Sequence, residues 1–472
     1  MTVLSGWRVP RTKRLRRSWW RRWHKRLTRL SGASASVPKR SSATCDGLSD
    51  GSIAVLATEA GPADALYSFS PSICLEKMPV PETFAMIDRT LFNPDHEAFR
   101  DSFRRFIEKE IAPFHAAWED QGYVDRAVWN KAGDNGFLCM SMPQEFGGSD
   151  ADKLFSVIQF EELARAGASG IGYSLHSEIV APYILHYGTD EQKARYLPRL
   201  ASGEMIGAIA MSEPAAGSDL QGIKSTAIEQ PDGSYLLNGS KTFITNGWHA
   251  DLVIVVAKNN PSAGANGTSL LLVERGMGGY SVGKRLKKLG LKAQDTSELF
   301  FDNVRLGPEQ LLGGRAHENR GFVCLMEQLP WERLQIAVSA VAGAQAAIGW
   351  TVDYVKERKV FGQPLAAFQN TRHTLAELQT EVQVAQVFVD KCCELICKDQ
   401  LDTATASMAK YWTTDLQCKV MDECVQLFGG YGYMWEYPIT RGFADARVAR
   451  IYGGTNEIMK EVITRSMGLG GK

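Results

Sequence analysis

The chain has 472 residues, 44% of them hydrophobic, with 53 basic and 53 acidic side chains, which is long enough for two or three domains and a large core. The zero net charge hides a segregation: residues 1–40 carry thirteen Lys/Arg and no acid, residues 41–85 hold six acids against Lys77, and residues 86–472 keep 39 bases against 47 acids. An acidic body speaks against nucleic acid as the main partner.

No run of about 18 apolar residues occurs, so no transmembrane segment is expected. Nine cysteines at irregular spacing suit a reducing compartment better than a disulfide framework. Cys392, Cys393 and Cys397 lack the C-x-x-C pair of a zinc site and read as core packing. Arg8 to Arg29 is Arg-rich and acid-poor, with Trp20, Trp23, Leu27 and Leu30 near one helical face. Residues 1–85 are therefore a mitochondrial transit peptide, pointing to the matrix, or upstream sequence from a mis-called bacterial start, pointing to the cytoplasm. Either way they stand outside the folded body.

Residues 86–205 read as an α-helical domain. Phe99, Phe103, Phe106 and Ile107 follow helical spacing, with Pro113 near the end of that helix. Leu154, Val157, Ile158 and Leu163 repeat the pattern, and Glu191–Leu200 forms a short helix capped by Thr189. Residues 206–315 change period. Ile206–Met211, Ser234–Leu237, Phe243–Thr245, Leu252–Ala257, Ser269–Glu274 and Glu298–Phe301 are short runs bounded by Gly, Asn, Asp or Pro, which predicts a β domain. Residues 316–472 are helical again, with candidates Phe322–Gly349 or beyond, Thr371–Cys397, Thr403–Leu427 and a last one after Thr455. The fold class is α+β multidomain: an N-terminal all-α domain, a middle β-barrel or sandwich, and a C-terminal four-helix bundle.

No G-x-G-x-x-G follows a strand, so a Rossmann site is not expected. Gly278–Lys284 matches a phosphate-loop skeleton, but Arg285 stands where the magnesium-binding hydroxyl belongs. No metal-ligand spacing occurs among the eight histidines. The segment Ile209-Ala210-Met211-Ser212 through Gly217-Ser218 and the segment Phe243-Ile244-Thr245 lie about 25 residues apart. Each is a strand ending in small residues and exposed backbone, able to lie flat on an aromatic ring system; each alone is also an ordinary turn. Arg358 with Phe368-Gln369 follows a long helix, where an arginine suits a pyrophosphate or serves as a helix-end cation. In Gln426-Leu427-Phe428-Gly429-Gly430 the glycines contact a ligand or cap the helix. Thr455-Asn456-Glu457 opens a helix, as a phosphate or carbonyl site or a simple N-cap.

Together and in this order, these segments resemble the acyl-CoA dehydrogenase family over essentially all of residues 88–470. The resemblance implies FAD as cofactor, bound by the segments just named, with the arginine and glutamine reaching it across a subunit interface of a homotetramer. Most of that family carries its catalytic base where Gly453 stands. A smaller branch, including long-chain and isovaleryl enzymes, moves it to the place of Glu332. This chain has Gly453 and Glu332, and a second carboxylate there would raise the base's pKa by like-charge repulsion. Pro330 suits a helix start, which would put Glu332 in the first turn; alone, Glu332 reads as an acid complementing the helix dipole and pairing with Arg333. Ser218, Pro330, Arg333, Gly453 and Gly454 are expected at the substrate, with a backbone N–H of Gly453 or Gly454 on the thioester oxygen. The implied reaction converts a saturated, medium- or long-chain acyl-CoA to the trans-2-enoyl-CoA in β-oxidation, and its implied electron acceptor is electron-transfer flavoprotein. The alternatives are an isovaleryl or branched short-chain dehydrogenase, an oxidase or hydroxylase, and a non-catalytic nucleic-acid-binding flavoprotein.

Overall fold

A computed structural model describes residues 87–469; the leader discussed above lies outside them. Helix α1 (Pro94–Phe106) is closed by a reciprocal cap between Asn93 and His96 and buries Phe103 and Phe106. A π-helical turn, Ile107–Ile111, then carries the chain straight into α2 (Ala112–Gln121). Pro113 therefore opens a second helix rather than ending the first, since its fixed φ suits a first turn. Three further helices follow: α3 (Arg126–Asp134), α4 (Lys153–Arg165) and α5 (Ala181–Tyr187). The last of the group, α6 (Asp190–Ala201), is capped by Thr189 and Gln192.

Helix α4 is buried on most of its surface, including Glu161 and Glu162. Those acids are neutralised by Arg100 at 2.9 Å from each and by Arg165 at 2.9 Å from Glu162. Arg89 reaches Glu161 at 2.8 Å and Asp390 at 2.6 Å, joining the N-terminal helices to the C-terminal ones. Burial opposes ionisation of Glu161, but Arg89, Arg165 and Arg100 overcome it and hold the carboxyl far below the usual range.

The middle region is one curled seven-stranded sheet. Its strands are β1 (Gly207–Ala210), β2 (Thr226–Glu229), β3 (Tyr235–Thr245), β4 (Leu252–Lys258), β5 (Thr268–Glu274), β6 (Tyr280–Arg285) and β7 (Thr296–Leu306). They run in the order β1-β4-β2-β3-β7-β6, and β5 pairs with β4. The runs Ser234–Leu237 and Phe243–Thr245 are two ends of one strand, interrupted by register shifts at Leu237/Gly239 and Lys241/Ile244. The phosphate-loop look-alike falls in a turn and in β6, with no helix after it.

The C-terminal bundle is built on α7 (Gly321–Glu357), α8 (Gln369–Ile396) and α9 (Thr403–Phe428), followed by α10 (Pro438–Ala446) and α11 (Asn456–Ser466). Its core runs from Trp331 through Val341 and Ile348 to Val382, Cys392, Cys393 and Val420. The cysteines at 392 and 393 are thus core residues, while Cys397 is exposed. Helix α7 is long and apolar enough to cross a membrane, but most of its apolar stretch is buried inside the fold. It is the bundle's central helix.

Pro330 does not begin a helix. It lies within the 37-residue α7, so Glu332 is in mid-helix, not in a first turn. An interior proline forfeits one backbone hydrogen bond, roughly 3 kcal/mol. Burial of the apolar residues that follow, among them Trp331, Leu334 and Ala337, outweighs that loss.

Candidate active site

Glu332 is 8% exposed and accepts a hydrogen bond from the Tyr183 hydroxyl at 3.1 Å. Two features of the preceding chain set Tyr183 in place. The turn before α5, His176–Val180, is π-helical, and Glu178 within it accepts the Trp331 indole N–H at 3.1 Å while its carbonyl accepts from Gln335 at 3.2 Å. That turn is therefore fixed to α7 on both sides of Glu332. Burial pushes the Glu332 carboxyl up to about 7; the Tyr183 bond and the Arg333 charge pull it partway back. Such a carboxylate is poised to take a proton near neutral pH.

Arg333 turns away from the pairing with Glu332 that its adjacency suggested. Its Nη1 donates to Ser407 Oγ at 3.1 Å, and its Nε is buried without a partner. Opposite stand Gly453 and Gly454, at φ +65° and +90°. A Cβ built on Gly453 would lie 2.5 Å from Ile336 Cδ1, one turn along from Glu332; one built on Gly454 would lie 3.9 Å from Arg333 Nη2. The structure thus brings the two informative positions, 121 residues apart in the chain, to the same face of α7.

The glycine loop is held by a residue that sequence reading missed. Lys410, fully buried, donates to the Gly454 carbonyl at 2.6 Å and to Asn456 Oδ1 at 2.9 Å. Burial, reinforced by the Arg333 charge, pushes its ammonium down to about 8. Asn456 in turn donates to the Tyr411 carbonyl, Thr414 and Asp415. The Asn456 side chain is therefore committed to α9, and Thr455 is the N-cap of α11. Of that tripeptide, the Glu457 side chain is exposed.

The expected flavin segments meet at the sheet. Lys241 Nζ binds Glu213 at 2.8 Å and the Met211 carbonyl at 3.0 Å, and Thr242 N–H donates to the Ser212 carbonyl at 3.0 Å. Ile209 packs in the same core cluster as Tyr183 and Leu325, with Met211 against it. The β3 bulge forces Phe243 to φ +60° and leaves its ring 70% exposed, a strained conformation of the kind found beside functional sites. Ile244 is buried and Thr245 half-buried, while Gly217 and Ser218 sit on an exposed loop.

The second group lies at the far end of α7. Arg358 is 26 residues from Glu332, or about 39 Å at the helical rise. Its guanidinium lies over the Tyr431 ring at 5.6 Å. Phe428 stacks on Tyr354 at 4.1 Å, and Phe361 and Phe368 meet edge to face. Gln369, Gln426, Gly429 and Gly430 are exposed there, and Leu427 is half-buried. Phe361 and Tyr433 are 96% and 89% exposed. Positions 217, 429 and 430 have open space where a side chain would stand.

Uncovered aromatic rings beside open glycine backbone fit a large planar, phosphate-bearing cofactor such as FAD, in two half-sites too far apart for one molecule to span. A cavity of about 200 Å³ lies beside the Gly453 loop, with Ile336 and Tyr452 in its wall. Ile336, Ser339, Ala340 and Gly343, one stripe of α7, line it together with Ile171, Ser174 and Tyr452. Among the described residues, no group of three or more His, Cys, Asp or Glu is placed to hold a metal.

Comparison with known proteins agrees with this architecture. The N-terminal, middle and C-terminal domains of acyl-CoA dehydrogenases match residues 93–204, 208–304 and 319–468. The chain is 51% identical over 381 residues to the long-chain specific acyl-CoA dehydrogenase of Mus musculus, covering 80% of this chain and 88% of that protein. It is 39% identical over 373 residues to an acyl-CoA dehydrogenase of Bacillus subtilis, covering 79% and 97%. The crystal structure of an acyl-CoA dehydrogenase from Geobacillus kaustophilus shares its fold with a TM-score of 0.78 at 45% identity, covering 80% of this chain and all of that one. Butyryl-CoA dehydrogenase from Megasphaera elsdenii follows with a TM-score of 0.76 at 33% identity, covering 81% and 100%. The chain belongs to the acyl-CoA dehydrogenase family. It is an FAD-dependent oxidoreductase with the three-domain fold of that family.

Proposed function

We propose that this enzyme dehydrogenates a long-chain saturated acyl-CoA to the trans-2-enoyl-CoA, with Glu332 as the base. The observation that carries the reading is a cavity lined by Ile336, Ser339, Ala340 and Gly343, a stripe of α7 that continues along the helix from Glu332. From Glu332 to Gly343 is about 16 Å along the helix, a tunnel suited to a long tail and far deeper than a branched short chain needs.

When bound, FAD supplies the acceptor for the hydride leaving the β carbon. The chain's own residues do the rest. Glu332 takes the α proton; Tyr183 holds its carboxyl in place and favours the ionised form before reaction. The N–H groups of Gly453 and Gly454 are offered to the thioester oxygen from a loop that Lys410 fixes. Small residues at 453 and 454 leave the approach to Glu332 open.

Phe243, Met211, Ser212 and Thr245 serve the ring half of FAD, and Gly217 and Ser218 serve the loop beside it. Arg358, Phe368, Gln369 and Gln426–Gly430 serve the other half of a neighbour's FAD. The 39 Å separation on one helix supports shared sites in a homotetramer assembled from dimers. Electron-transfer flavoprotein is the proposed acceptor, and fatty-acid β-oxidation the proposed setting.

The test is steady-state turnover on butyryl-, isovaleryl-, octanoyl- and palmitoyl-CoA with electron-transfer flavoprotein as acceptor. Highest kcat/KM on palmitoyl-CoA is expected. Highest kcat/KM on isovaleryl-CoA would contradict the substrate reading.

A further inference from the structure

The far end of the acyl cavity is not lined as a plain hydrocarbon tail requires. Leu163, Ile171 and Ile336 give it apolar wall. Ser339, Gln294 and Gln417 also line it, as do the charged Arg441 and Asp445. Ser339, Gln294 and Gln417 are half-buried, and none of these three side chains hydrogen-bonds to any group among the described residues. Gln417 is the most pointed case. It projects from α9 towards α7 where Gly343 stands, so that a Cβ on Gly343 would lie 2.7 Å from Gln417 Nε2. Gly343 thus leaves room for a carboxamide with two free N–H donors and a free carbonyl acceptor.

The same end of the cavity is widened by two more glycines. A Cβ on Gly442 would lie 3.0 Å from Met421 Sδ and 3.7 Å from Trp350; one on Gly167 would lie 3.5 Å from Trp350. Sealing an alkyl tail against an unpaired amide leaves buried polar groups unsatisfied, which disfavours binding. A hydroxyl or keto oxygen on the tail satisfies them.

We propose that the preferred substrate is an oxygenated acyl-CoA, bearing a hydroxyl or carbonyl in the distal half of its chain, recognised by Gln417 with Ser339 beside it. This rests on the reading of the cavity as the acyl tunnel. Gln417 stands opposite Gly343, about 16 Å along α7 from Glu332, which sets the group well beyond the reacting carbons and clear of their chemistry.

The test uses the holoenzyme with stearoyl-CoA and a hydroxystearoyl-CoA whose hydroxyl sits past mid-chain. The wild type should favour the hydroxylated ester in kcat/KM by about tenfold, the discrimination expected of one buried hydrogen bond. In Gln417→Leu, of similar volume, that ratio should fall to one or below. Ser339→Ala provides a second variant should the first not retain flavin, and its ratio should fall in the same direction. A wild-type ratio of one or less, or a ratio unmoved in the variants, overturns the inference while leaving the dehydrogenase reading intact. If neither ester reduces the flavin, the proposed function itself fails.

Discussion

Tyr183→Phe isolates the interaction that sets the base. The substitution removes one oxygen from a fully buried ring and leaves the Glu332 carboxylate without its hydroxyl donor. A hydrogen bond to a charged group is worth roughly 1.5–3 kcal/mol. At 3.1 Å the bond is long for two oxygens, so the lower value applies, and about 1.4 kcal/mol corresponds to one pH unit. The sign follows from which form the bond favours: it stabilises the carboxylate, so its loss raises the Glu332 pKa above about 7. The assay is kcat/KM against pH, which reports the free enzyme. The acid limb should move up by about one pH unit, costing roughly fivefold at pH 7, approaching about tenfold in more acid solution, and little at high pH. A variant whose activity falls equally at every pH, or whose limb does not move, would refute this account of the pair.

Lys410→Met removes both donors holding the Gly454 carbonyl and Asn456. Leaving buried acceptors unpaired costs about 1–3 kcal/mol, so the thermal midpoint should drop by several degrees and KM for acyl-CoA should rise; calorimetry and initial rates check this. Glu161→Gln breaks a buried network and should cost about 3–5 kcal/mol. Because the folded Glu161 pKa is depressed, its contribution is complete above the ordinary carboxylate range and is lost as pH falls towards the folded value. Denaturant midpoints of wild type and variant should therefore converge in strong acid and differ most near neutrality.

Much of this was legible from residues alone, for identifiable reasons. Long helices with unbroken apolar periods, such as Gln369–Ile396 and Thr403–Phe428, announce themselves. The strand Tyr235–Thr245 looks like two because its bulges fall at Asn238-Gly239 and Thr242-Phe243. Strands β2 and β6 went unseen because they are short and half-exposed, with no clean alternation. Helix α10 carries Pro438 and Gly442 within nine residues, which local propensity disfavours. Pro330 misled because the φ that suits a helix start also fits a helix interior once packing outweighs the missing bond.

Glu332 and Gly453 were readable as a pair because each fills a motif position. Tyr183 and Lys410 were not. A tyrosine in Ala181–Tyr187 looks like any core aromatic, and its bond to Glu332 spans 149 residues. Lys410 sits in a helix where a lysine normally reaches solvent, and only the fold shows it buried. The unpartnered Gln417 has no linear signal either, since what marks it is the missing side chain at Gly343 across the helix contact.

The base assignment stands or falls on anaerobic flavin bleaching by palmitoyl-CoA in Glu332→Gln, followed in a stopped-flow instrument. The purified variant should be yellow, should perturb the flavin spectrum on ligand addition as the wild type does, and should then bleach slower by several orders of magnitude. Bleaching at a rate near that of the wild type would show that another group removes the proton.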